Sequence, residues 1–82
     1  MNPIKRLRET LAMDRVTAAT NFGMSYAALK SLELGQAAKL PRALTEWLMG
    51  EQGWSIAQIR ALDANYRSWQ LHHADAEAGE SA

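Results

Sequence analysis

Residues 22–35 read FGMSYAALKSLELG, a stretch with the signals of a short helix that has a defined start and end. Ser25 is a preferred N-cap residue, and Met24 and Leu29 occupy the positions of a hydrophobic staple around it. Gly35 follows the last apolar residue, as expected where a helix ends on a left-handed residue. The question is whether this is an ordinary core helix or one shaped to enter another molecule.

The outward face of this helix favours the second interpretation. It carries Tyr26, Ala27, Lys30 and Ser31, where a solvent-exposed face usually carries several long charged side chains. Small side chains let a helix backbone approach a surface closely. Tyrosine and serine can donate to phosphates or bases, and lysine can reach guanine or phosphate acceptors. A core helix in a protein-interaction module remains the alternative.

The rest of the chain predicts further helices and no strands. Residues that favour the start of a helix recur along the chain. Asn2 and Pro3 precede a predicted helix that reaches about residue 11, and Asp14 precedes one at residues 15–21. Pro41 is at the first position of a helix that reaches about residue 49, and Ser55 and Gln58 form a capping box for the last helix. An apolar stripe follows that box, comprising Ile56, Ile59, Leu62, Tyr66 and Trp69. The stripe predicts one amphipathic helix, although Asp63 could start a separate one. Because no segment alternates with period two, the predicted fold class is all-α, a compact bundle of about five helices.

A chain of 82 residues is expected to form one domain. We divide it into a DNA-binding core at residues 1–50, a helix at 51–73 that completes the core, and a disordered acidic tail at 74–82. Residues 1–50 carry seven basic and four acidic side chains, whereas residues 51–82 carry two basic and five acidic ones. This asymmetry suggests a half that faces a polyanion and a half with another role.

Several other classes of function are not expected. Cysteine is absent, which removes disulfides, thiolate metal sites and cysteine nucleophiles and fits a cytoplasmic setting. No apolar run has the length of a signal peptide or a membrane span. His72 and His73 are adjacent and diverge on a helix, so no metal site is predicted. No spacing suggests a catalytic triad or a phosphate-binding glycine loop, so neither an enzyme nor a cofactor is expected.

The register of residues 4–35 resembles the lambdoid phage repressor and Cro-type helix-turn-helix family, also called the XRE type. The match needs no gap and consists of Arg8, Ala19, Gly23, Met24, Ser25, Leu32, Glu33 and Gly35. The similarity extends over residues 3 to about 50. One departure is Ala12, which stands where the family usually turns with glycine, so we expect a distorted corner between the first two helices.

The resemblance implies a role for each matching position. Tyr26, Ala27 and Lys30 match base-reading positions, with Ser31 beside them. The expected phosphate contacts are Arg15, Ser25, Lys39 and Arg42. Arg8 and Glu33 match an internal ion pair. Because Ala27 can contact only a thymine methyl, base specificity would depend on Tyr26 and Lys30.

The late aromatic residues suggest a dimer, because so small a domain is not expected to bury them all. Tyr66, Trp69 and Leu71 are the expected interface. A twofold homodimer predicts a palindromic double-stranded DNA operator. The predicted function is therefore a sequence-specific transcriptional regulator, most simply a repressor of a phage, mobile element or similar small operon. The alternative is an antitoxin-type regulator or an interaction module that acts mainly through a protein partner such as a toxin or antirepressor.

Overall fold

The computed structural model describes residues 1–74, with the side chains of residues 1–72, and contains five α-helices. The helices are α1 (Pro3–Thr10), α2 (Arg15–Asn21), α3 (Tyr26–Glu33), α4 (Arg42–Gly50) and α5 (Ile56–Trp69), and a π-helical turn (Gln70–Ala74) follows α5. No strand occurs in the described part, which confirms the all-α fold class. The tail predicted to be disordered lies outside the described residues from residue 75 onward.

The first three helices all end in the same kind of turn. After α3, the N–H of Gly35 donates to Leu32 and the N–H of Gln36 donates to Ser31, at 3.1 and 2.9 Å, which is a Schellman motif. Gly23 and Ala12 hold the equivalent position after α2 and α1. All three residues have positive φ, at 77° for Gly35, 68° for Gly23 and 56° for Ala12. The expected distortion at Ala12 is therefore a strained residue in an otherwise regular corner, because alanine adopts the left-handed conformation at a cost.

The core collects apolar side chains from all five helices. Its fully buried members include Ile4, Phe22, Leu29, Leu32, Leu44, Leu48 and Tyr66. Phe22 also packs against Trp47, with ring centroids 5.1 Å apart. The helices around this core are thus held by a shared apolar interior, as in other small helical domains.

Helix α5 is continuous, which settles the alternative of two helices. Asp63 does not restart a helix; its carboxylate pairs with Arg67 one turn later at 3.0 Å. The predicted Ser55–Gln58 capping box is confirmed, with both reciprocal hydrogen bonds present. Ile56 was expected in the buried stripe but is 58% exposed, because it lies at the first position of the helix, beyond the edge of the core.

The start of α1 is fixed by a buried residue with two roles. The Asn2 side-chain oxygen accepts hydrogen bonds from the N–H groups of Ile4 and Lys5, so it caps α1. Its amide nitrogen donates to the carbonyls of Leu32 and Glu33 at the end of α3, at 2.9 Å each. Asn2 therefore joins the beginning of one helix to the end of another.

The remaining features of the fold are the start of α4 and the absence of a membrane-spanning helix in the described residues. Pro41 is the N-cap of α4 rather than its first helical residue, because its ψ of 143° is extended. Residues 1–74 contain no helix both long and apolar enough to cross a membrane.

Candidate nucleic-acid interface

Helix α3 has one face in the core and one face at the surface. Leu29 and Leu32 are fully buried, whereas Tyr26 on the outward face is 47% exposed. Ala27 and Lys30 are also exposed, and Ser31 is half-buried. Tyr26, Ala27, Lys30 and Ser31 thus form a continuous outward stripe at helical spacing, which we call the α3 face.

The turn before α3 holds this helix against its neighbours. Gly23 ends α2 with a positive φ, and a Cβ added there would come within 3.2 Å of the Ala43 Cβ in α4. Ser25 then begins α3, and its hydroxyl oxygen accepts from the Ala28 N–H at 3.1 Å. That bond uses the serine only as an acceptor, so its O–H remains able to donate to a phosphate.

An ion cluster fixes the other end of α3. The Glu33 side chain is only 1% exposed and receives two hydrogen bonds from the Arg8 guanidinium, at 2.9 and 3.0 Å. Arg8 also donates to the carbonyl of Met13, at 3.1 Å. The hydrogen bonds to Glu33 raise the pKa of Arg8, and burial opposes that shift. The predicted pair of Arg8 and Glu33 is therefore joined in bidentate geometry.

Arg15 belongs to the same cluster, which the sequence did not predict. Its Nε donates a hydrogen bond to Oε1 of the Glu33 carboxylate at 3.3 Å. A hydrogen bond with Tyr26, followed by the charge of Glu33, raises the pKa of Arg15. The side chain remains 36% exposed. Arg15 thus connects the buried carboxylate to the first residue of the α3 face.

This cluster leaves positive charge beside the α3 face. One carboxylate faces two guanidinium groups, so the cluster has a surplus of one positive charge. No local pattern relates residues 15 and 33, because they are on different helices, and the resemblance assigned Arg15 only to phosphate binding. Its proximity to Glu33 and Tyr26 is a consequence of the packing of α2 on α3.

The two downstream cations have different surroundings. Lys39 is exposed and makes no ion pair with any described residue. Arg42 pairs with Glu46 one turn later at 2.8 Å, and the two side chains are 90% and 65% exposed. Exposed pairs of this kind contribute little, so Arg42 can exchange Glu46 for another anion.

The expected dimer interface needs a correction. Tyr66 is fully buried and Trp69 is 6% exposed, so both fill the core of this chain instead of meeting a partner. The Tyr66 hydroxyl donates to the Leu32 carbonyl at 3.0 Å, and burial raises its pKa. The two rings also stack, with centroids 6.2 Å apart. Of the three predicted residues, only Leu71 is exposed, at 77%.

Comparison with known proteins adds no family. Scans of the sequence against models of protein families and against curated proteins find no match, and neither does a search of solved structures.

Proposed function

We propose that this protein binds double-stranded DNA sequence-specifically as a transcriptional regulator, most simply a repressor, and reads the major groove with α3. The observation that carries the proposal is the α3 face itself. It exposes small side chains, one tyrosine and one lysine on a helix that is held by a glycine turn against α2. Small side chains let the backbone of such an exposed helix approach base edges closely, and the tyrosine and lysine can donate to them.

The cations around the α3 face suit a polyanion. Arg15 lies at the N-terminal side of the face, and Lys39 and Arg42 follow α3 in the chain. In a helix-turn-helix, the N-terminal part of the second helix enters the major groove, and flanking groups contact the phosphates. In this arrangement Arg15, Ser25, Lys39 and Arg42 would position the protein on the duplex.

The base contacts would come from three side chains. Lys30 has no ion pair within the described residues and can donate to guanine O6 or N7. Ala27 can contact a thymine methyl group. Tyr26 interacts with Arg15 at the start of the α3 face, and its hydroxyl can donate to a base or a phosphate. A reading face with one cation and no amide side chain predicts modest base discrimination, supplemented by DNA shape.

The test is a selection of bound duplexes from a random pool, followed by affinity measurements on the consensus at several salt concentrations. Counterion release predicts an affinity that falls steeply between low and moderate salt. Absence of binding to every duplex at low salt would refute the proposal.

Three single-charge variants separate reading from general attraction. Lys30→Ala should relax the sequence preference, and Lys39→Ala should weaken all duplexes about equally. Arg60→Ala is the matched control, because Arg60 is exposed on α5, in the acidic half of the chain. An unchanged preference in Lys30→Ala would exclude the α3 face as the reader. An equal loss in all three variants would indicate attraction by net charge alone.

A twofold homodimer is part of the proposal, and it would place two α3 helices roughly 34 Å apart on a palindromic operator. Leu71 is the exposed apolar residue of the originally expected interface. Leu71→Asp should shift the sedimentation of the free protein toward the monomer. An unchanged dimer would place the interface elsewhere, with exposed Met49 and Ile56 as the next candidates. A regulator of this kind would act in the cytoplasm, where it can reach the promoters of a small operon.

A protein partner is the second candidate function. Val16 and Leu34 are 65% and 43% exposed, so a protein partner could bury both apolar side chains. In that case α3 would bind a toxin, an antirepressor or a similar protein instead of DNA. The salt titration distinguishes the two functions, because a contact dominated by Val16 and Leu34 would depend weakly on salt.

A further inference from the structure

A groove of about 640 Å³ lies between α1 and α5, and none of its lining residues belongs to the α3 face. Its apolar lining includes Leu7, Leu62 and Trp69, which are each less than a tenth exposed. Trp54, which is half-buried, also lines it. The volume is in the range of small-molecule sites, which combine apolar walls with a few polar groups.

The polar lining of the groove consists of exposed side chains on both helices. Arg6 and Thr10 belong to α1, and Asn65 and Ser68 belong to α5. None of these four side chains hydrogen-bonds or ion-pairs with another described residue. Arg6 therefore brings to the groove a cation that makes no ion pair with a described carboxylate.

We propose that this groove binds a small planar aromatic carboxylate. The half-buried indole of Trp54 can take a planar aromatic partner in a stacked or edge-to-face contact, whereas Trp69 is already stacked on Tyr66. A guanidinium presents donors in a fork that matches a carboxylate. Met1, which carries the N-terminal ammonium, also lines the groove, so positive charge is available to a carboxylate from two residues. The amide and hydroxyl groups of Asn65 and Ser68 on α5 can complete the hydrogen bonds of the ligand.

This site is independent of DNA binding. Arg6 and Arg8 are two residues apart in α1, so their side chains leave the helix on different sides. Arg8 holds Glu33 at the end of α3, whereas Arg6 lines the groove. A ligand beside Arg6 would leave the ion cluster in place, and the groove can be tested without any nucleic acid.

The experiment titrates the full chain with naphthoate and, in parallel, with its neutral amide, naphthamide, and follows two-dimensional amide NMR spectra. Naphthoate should cause saturable shifts at Leu7, Leu62 and the indole N–H groups of Trp54 and Trp69. The indole of Trp47 is an internal control, because it packs against Phe22 outside the groove.

The variant that assigns the charge is Arg6→Gln, with Lys5→Gln as its matched control, since Lys5 is exposed, adjacent and outside the groove lining. Arg6→Gln should weaken naphthoate by about three- to five-fold, as expected for an exposed ion pair, and should leave naphthamide unchanged. Lys5→Gln should change neither affinity.

Three results would overturn the proposal. The first is an absence of saturable shifts up to the solubility limit of naphthoate. The second is an equal loss of both probes in Arg6→Gln, which would show that the charge has no role. The third is a dependence of the groove signals on protein concentration without ligand that persists in the Leu71→Asp variant, which would show that a second copy of the chain covers the groove.

Discussion

Replacing Asn2 by aspartate should destabilise the protein strongly, although aspartate and asparagine are equally good N-caps elsewhere. The side-chain oxygen that caps α1 would remain. The amide nitrogen, which donates to the carbonyls of Leu32 and Glu33 at 2.9 Å, would become a carboxylate oxygen facing two other oxygens. Asn2 is only 5% exposed, so water cannot relieve that contact.

The magnitude follows from the bonds that each substitution removes. Asn2→Ala loses the cap, about 1 kcal/mol, and two buried hydrogen bonds at about 1 kcal/mol each, so about 3 kcal/mol in total. Leu32 keeps its bond from Tyr66, which moderates the loss. Asn2→Asp keeps the cap but adds a poorly solvated charge against carbonyl oxygens. We therefore expect it to lose at least as much as Asn2→Ala.

The assay is urea unfolding at neutral pH, followed by far-ultraviolet circular dichroism. Asp14→Asn is the matched control, because Asp14 caps α2 through one exposed hydrogen bond and has no second role in the described structure. That exchange should change the free energy of unfolding by less than about 0.5 kcal/mol. A wild-type stability for Asn2→Asp would show that the contacts with the end of α3 contribute nothing.

Three further predictions concern the turns and the charged groups. Ala12→Gly should raise the free energy of unfolding by about 0.5–1 kcal/mol, because glycine adopts a φ of 56° without strain. Ala61→Gly within α5 is the control and should lower the free energy of unfolding by about 1 kcal/mol. Thermal unfolding of both variants tests this, and a loss of stability in Ala12→Gly would contradict it. Glu33→Gln should lower the free energy of unfolding, measured in urea, by about 3–5 kcal/mol, because it removes the carboxylate between two arginines. Glu46→Gln, which breaks an exposed pair, should lower it by less than about 1 kcal/mol. Equally small losses in both variants would show that the cluster has no structural role. The backbone N–H bonded to Asp14 lowers its pKa below the ordinary 3.8, so its stabilising contribution is complete above that pH and is lost as the pH falls through the lowered value. Asp14→Asn should therefore lose less stability than the wild type on acidification, and parallel acid curves would refute this.

The sequence predicted most features that depend on neighbouring residues. The caps at Asn2, Asp14 and Ser55 are present, and α3 begins after Ser25 and ends before Gly35. Each of these signals acts within a few residues, so it can be recognised without knowing the tertiary structure.

The errors concern residues that meet across the chain. The sequence predicts Tyr66 at a dimer interface because it is aromatic and late in the chain, yet it fills the centre of the core and its hydroxyl donates to the end of α3. The contact between Arg15 and Glu33 and the second role of Asn2 depend on how the helices pack. Periodicity predicts which face of a helix is buried, but it does not predict which partner that face meets.

The surplus charge beside the α3 face also has a consequence for how binding could be controlled. The pKa values of both guanidinium groups of the cluster are raised above the ordinary arginine value, so acid or base within the stable range of a protein cannot switch them off. Their two positive charges are therefore constant across that range. Association with a polyanion would therefore respond to the ionic environment, with mobile ions competing for the same arginines, and hardly to proton concentration.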